Sequence, residues 1–204
     1  MTHLQKLGVI AAFINVIVLT ATLATAVFLI KVSAISDPNR LIDLAIDNPT
    51  PLLIQDGLKF VSAIISSVLI LALAGYLGHD ASALLSIATG LGFLSVSCLI
   101  SNAILSLSGI FQFSIWNSPA LSGDSLNSMI GILAMAAIGL DGLWLLLVSW
   151  IALKGQQLPS PLCWLGLGIG ILSLVPPLGI IVLLLSVVWS VWMGKVLLRE
   201  DPAS

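Results

Sequence analysis

Between Lys6 and Lys31 the chain runs from Leu7 to Ile30 without a single charged residue. As a helix rising 1.5 Å per residue, that run is about 36 Å long, enough to cross a hydrocarbon core of about 30 Å. It is also too long for the apolar segment of a cleavable signal, about 7–15 residues, so it reads as an uncleaved first span. The pattern recurs along the chain, over about 7–30, 58–78, 83–106, 126–153, 162–175 and 179–198. Lipid therefore has to solvate the outside of whatever forms.

Composition agrees. Charged residues make up 8% of the chain, against roughly a quarter in soluble domains. The net charge of −2 and the lack of a Lys/Arg cluster exclude a nucleic-acid binder. Cys98 and Cys163 fall within or at the edge of spans and suggest neither a disulfide framework nor a metal site. The expected fold is an all-α integral membrane protein, one domain over residues 1–204. It is a polytopic bundle of six transmembrane helices, or alternatively five, with a short interfacial helix after the first.

That interfacial helix is expected over about 38–47. Ser36-Asp37-Pro38 supplies a cap and a first-turn proline; Leu41, Leu44, Ala45 and Ile46 take one side and Arg40, Asp43 and Asp47 the other. Asn48-Pro49-Thr50-Pro51 reads as its stop. The second and third spans are joined only by the few residues around Gly78-His79-Asp80, which makes them an antiparallel hairpin. Leu107–Ser125 reads as a connection whose aromatics, Phe111, Phe113 and Trp116, sit at headgroup level.

The span count turns on residues 162–198, about 55 Å as one helix. Pro176-Pro177 removes two backbone donors in succession, so a turn between two spans ranks ahead of one kinked helix. The distribution of basic residues leans the other way. Six spans put Lys6, Lys154, Lys195 and Arg199 on the cytoplasmic side and Lys31, Arg40 and Lys59 outside, whereas five spans give a five-to-two split. Six spans do gather Trp150, Trp164, Trp189 and Trp192 near the basic side as an aromatic belt.

Small residues mark helix contacts. Ser86/Gly90 and Ser97/Ser101 in the third span, and Gly166/Gly170 in the fifth, are four apart and share a face. The third span accordingly reads as the packed centre of the bundle.

Asp141 is the one acid deep inside an apolar run, about 20 Å along the helix from Lys154. A charged carboxylate at mid-membrane costs at least about 2.5–3.5 kcal/mol, so it is expected to face the bundle interior. Ala134, Ala137, Ile138, Trp144, Leu145 and Val148 lie on its side of the helix. With no intramembrane Lys, Arg or His to pair with it, Asn15, Asn102, a threonine of the first span and the Trp144 indole are the expected partners.

Leu158-Pro159, Trp164-Leu165-Gly166, the glycine-rich helix that follows, and Trp189-Ser190-Val191-Trp192-Met193-Gly194-Lys195-Val196-Leu197-Leu198-Arg199 form a further pattern. It resembles the C-terminal end of a family of uncharacterised bacterial six-span membrane proteins of unknown function. The resemblance covers about the last forty residues, implies six helices and a bacterial cytoplasmic membrane, and carries no catalytic residues.

Three functional readings follow, in order. The first is a non-enzymatic accessory or assembly partner of other membrane proteins, suggested by short loops, small-residue faces and the lack of a reactive constellation. The second is a small transporter or channel built on Asp141 with Asn15 and Asn102, for which Pro176 and Pro177 could mark a hinge. The third is a haem- or pigment-binding protein using His79; apart from it, no cofactor is indicated. An enzyme ranks last, because the adjacent pair His79 and Asp80 is too little for catalysis.

Overall fold

The structure is a computed structural model describing residues 3–30, 44, 47–78, 83–116, 123–175 and 178–199. Six helices follow one another. α1 is His3–Ala24, continued by a π-helical turn over Thr25–Ile30; α2 is Thr50–Leu77, α3 Ala83–Trp116, α4 Gly123–Lys154, α5 Ser160–Ser173 and α6 Gly179–Arg199. The protein is an all-α helical bundle. Five of its helices are long and apolar enough to cross a membrane, and α5, at 14 residues, is the shorter exception.

Two boundaries differ from the sequence reading. α2 begins at Thr50, with Pro49 at its cap and Pro51 in its first turn, where a missing N–H costs nothing. The prolines start a helix there instead of ending one, and they bring Asp56 and Lys59 inside it. α3 continues to Trp116 and α4 begins at Gly123, so most of the expected loop is helix. The expected interfacial helix lies outside the described residues except for Leu44 and Asp47, as do Pro176 and Pro177.

Each helix packs on its sequence neighbours, and α6 returns to α1. Gly8 lies against Ala72 and Gly75 against Leu4, so α1 and α2 run antiparallel. Gly92 meets Ile70 between α3 and α2. Ser95 Oγ donates to Ala137 O (2.8 Å) and Asn102 Nδ2 to Ile130 O (2.7 Å), which sets α4 antiparallel to α3. Gly142 meets Ser173 while Gly166 meets Ser149, fixing α5 against α4. Finally Gln5 Nε2 donates to Leu197 O (3.3 Å) and Asn15 Nδ2 to Ser190 Oγ (3.0 Å), closing α6 antiparallel to α1.

A closed ring in which every neighbour is antiparallel needs an even number of members. The α1–α6 closure is therefore compatible with α5 only as a reversal of its own. The chain turns back between Ser173 and Gly179, and a single kinked helix is excluded. At about 21 Å, α5 falls short of a full hydrocarbon core.

The main apolar cluster draws on all six helices: Val9 and Ala12, Leu69 to Leu77, Leu85 and Ala88, Trp144 to Ala152, Leu162 and Ile169, and Trp189 to Leu197. Most of these lie toward the end that carries Lys6, Lys154, Lys195 and Arg199. Toward the opposite end, the other cluster is Ala11, Val18 and Ile65 between α1 and α2, and nothing from Leu178 to Val188 in α6 is buried. α6 is thus buried in its basic half and uncovered in the other, while Ala26, Ile30, Asp56, Asn102, Ala103 and Ile110 of α1, α2 and α3 stay buried at the far end. Trp150, Trp164 and Trp192 are exposed near the basic end as an aromatic belt requires, but Trp189 is buried in the core.

Of the expected small-residue contacts, Gly166 and Gly170 do pack, both against α4. Ser86 and Gly90 do not: they are exposed on the outside of α3, with nothing within 4 Å of a Cβ at Gly90. α3 is a ring member rather than a central helix. A Cβ at Gly170 would come within 2.5 Å of Leu146 Cγ and 2.7 Å of Gly142 O, whereas Gly168 has open space. Gly170→Leu should therefore destabilise the bundle by about 1–3 kcal/mol in detergent unfolding, with Gly168→Leu near neutral. Equal losses in the two variants would refute this account of α4–α5 packing.

Candidate polar site inside the bundle

Asp141 sits on α4 about 40° around the helix from Ala137, at 100° per residue. Trp144, Leu145 and Val148 occupy the same side, and all four of these neighbours are buried. That side lies between α3, which meets α4 at Ala137, and α5, which meets it at Gly142. Asp141 thus looks into the ring, yet it is exposed.

The position of α5 accounts for that exposure. α5 ends at Ser173, level with Gly142, and Leu174 and Val175 beyond it are exposed. One turn further along α4, Ile138 is exposed on the side α5 would have covered. The short helix leaves the wall between α4 and α6 open over its outer half.

The expected partners of Asp141 are engaged elsewhere, which corrects the sequence reading. Asn15 is bonded to Ser190. Trp144 packs edge-on against Trp189, with ring centroids 6.5 Å apart and planes at 77°. Asn102 belongs to a different cluster. Among the described residues nothing hydrogen-bonds to Asp141, so no neighbouring helix supplies this acid with a partner.

The cluster around Asn102 was not foreseen. Lys59 Nζ donates to Asp56 Oδ1 (2.7 Å) and to Asn102 Oδ1 (2.7 Å), and Asn102 Nδ2 donates to Ile130 O. Three helices, α2, α3 and α4, are tied by one ammonium and one amide. Asp56 and Asn102 are each 1% exposed, while Lys59 keeps some access. Two acceptors are left over: Asp56 Oδ2 and Gln55 Oε1 are buried without a hydrogen bond. The cluster lies about twenty residues along α2 from Gly78, or about 30 Å, and so near the end opposite the basic one. A sequence signal existed in the i, i+3 spacing of Asp56 and Lys59. It was hidden by reading Pro49 and Pro51 as a stop.

His79 lies outside the described residues, and no group of three or more His, Cys, Asp or Glu side chains able to hold a metal occurs among those described. No protein-family model, curated protein or solved structure matches the chain.

Removing one member of a buried ion pair strands the other. Lys59→Met should cost about 3–5 kcal/mol of stability in detergent, and pairing it with Asp56→Leu should restore most of that loss. Thermal unfolding of the two variants measures both; a single-variant loss no larger than the double's would remove the pair from the architecture.

Proposed function

We propose that the chain is a small transporter or channel that passes a cation or a protonated solute along the inside of the helix ring, with Asp141 as the binding station. The reading rests on one observation: an acid on the same side of α4 as the buried Ala137, Trp144, Leu145 and Val148 is itself exposed and has no hydrogen-bond partner among the described residues. A carboxylate kept without a partner inside an apolar bundle costs stability, and that cost is characteristic of groups that meet a passing ion or proton. The shortened α5, beyond which the outer half of α6 has no buried residue, supplies a way in. The neutral Asp56–Lys59–Asn102 cluster stands near the outer mouth.

The orientation follows from charge. With both termini at one end of an even ring, Lys6, Lys154, Lys195 and Arg199 share that end, and the charge rule places it in the cytoplasm. The resemblance of the last forty residues suits a bacterial cytoplasmic membrane. The accessory-subunit reading has an observation of its own: Ser86, Gly90, Ser97 and Ser101 are all exposed on α3, where another helix could approach closely.

Proteoliposome flux discriminates between them. Under proton, sodium and potassium gradients, the wild type should conduct at least one of these ions, and Asp141→Asn should lower that flux by about tenfold or more, with Asp141→Glu retaining part of it. Flux that Asp141→Asn leaves unchanged, or no flux above empty vesicles for any of the three ions, would overturn the proposal. Recovery of the wild type with a larger complex through α3 crosslinks would then favour the accessory role.

A further inference from the structure

A cleft of about 240 Å³ opens at the basic end, between the end of α2, the start of α3 and the last turn of α4. Its walls are Leu77, Leu84, Trp150 and Ile151, and its polar edge is Lys154 and Gln157. Leu84 and Trp150 are exposed, so the walls continue onto the lipid-facing surface. Lys154 ends α4 with its Nζ 5.6 Å from the Trp150 ring centroid. Both residues sit where a helix leaves the hydrocarbon region, at the level of lipid headgroups.

Gln157 adds a second and independent requirement. Its main-chain carbonyl takes the Tyr76 hydroxyl at 3.2 Å, which anchors the residue beside the cleft. Its side-chain Oε1 is buried and accepts no hydrogen bond. An acceptor in that condition calls for a donor. The cleft therefore asks for three things together: an apolar chain along its walls, an anion for Lys154 and a hydrogen-bond donor for Gln157.

We propose that this cleft seats a glycerophospholipid whose headgroup carries a donor, with the phosphate on Lys154 and the headgroup hydroxyl or ammonium on Gln157 Oε1. Phosphatidylglycerol and phosphatidylethanolamine both have the phosphate and the donor. Phosphatidylcholine has the phosphate, but its trimethylated nitrogen has no proton to give. Free phosphate satisfies Lys154 and leaves the apolar walls uncovered. The site is separate from the interior of the ring and does not depend on what passes there.

Native mass spectrometry of the purified protein, with each lipid and with inorganic phosphate added in turn, tests the assignment. The wild type should retain phosphatidylglycerol and phosphatidylethanolamine about fivefold better than phosphatidylcholine, as one hydrogen bond allows. Lys154→Gln should weaken all three lipids through loss of a charge-assisted contact. Gln157→Leu should abolish the preference and leave phosphatidylcholine binding as it was. Both substitutions are at the rim, and wild-type helicity with monodisperse elution checks their folding. Equal retention of the three lipids by the wild type would overturn the proposal. So would a preference that survives Gln157→Leu, or inorganic phosphate that displaces lipid at equal concentration.

Discussion

The close approach of α5 to α4 is the contact on which the architecture depends. Gly142, Gly166 and Gly170 let the two helices meet with almost nothing between them: Gly142 O and Gly170 O each lie under 3 Å from where a Cβ on the opposing glycine would sit. In lipid no hydrophobic force pulls helices together, so association relies on van der Waals contact, and small residues provide it. With α5 held there, the chain has made five reversals by the time it enters α6. Only then can α6 lie antiparallel to α1, where Asn15 and Gln5 find Ser190 and the Leu197 carbonyl.

The same short helix makes the bundle uneven. A 14-residue helix covers its neighbours over about two thirds of a hydrocarbon core. Where it is present, at the basic end, six helices contribute to one continuous cluster. Where it is absent, α4 and α6 lose the neighbour that would have separated them from their surroundings, and the side chains from Leu178 to Val188 stay partly or fully exposed. Asp141 is at the border between these halves. A carboxylate one turn further toward the basic end would be enclosed among Leu145, Val148 and Trp144; one turn the other way it would be level with Ser95 and Ala137.

The apolar runs could be read directly, because a helix in lipid announces itself by length and lack of charge. The reversal of direction from α5 to α6 was also legible from the length of the run and its paired prolines. What the sequence concealed came from residues with two meanings. A proline can close a helix or stand in its first turn, and Pro49 and Pro51 do the latter; the choice decides whether Lys59 is a loop cation or an intramembrane one. A pair of small residues four apart can face a neighbour or face lipid, and Gly170 and Gly90 divide between the two. Asp141 shares its side of α4 with buried residues, but it is exposed and without a hydrogen-bond partner among the described residues, which the cost of burying charge did not predict. Asn15 and Asn102 were equally open to other partners, and only the tertiary arrangement assigns them to Ser190 and to Lys59.

Asp56 and Asp141 illustrate two ways for a membrane bundle to keep an acid. Asp56 is sealed at 1% exposure and matched with an ammonium at 2.7 Å, so the cluster as a whole is neutral and ties three helices. The Coulomb attraction at that distance offsets much of the desolvation of both ions, provided neither partner is lost. Asp141 has no such partner among the described residues and is exposed. A group with that freedom can change its protonation or its ligand without breaking a helix contact, whereas Asp56 cannot release Lys59 without loosening α2 from α3 and α4. The contacts that hold helices together thus run through Asp56 and not through Asp141.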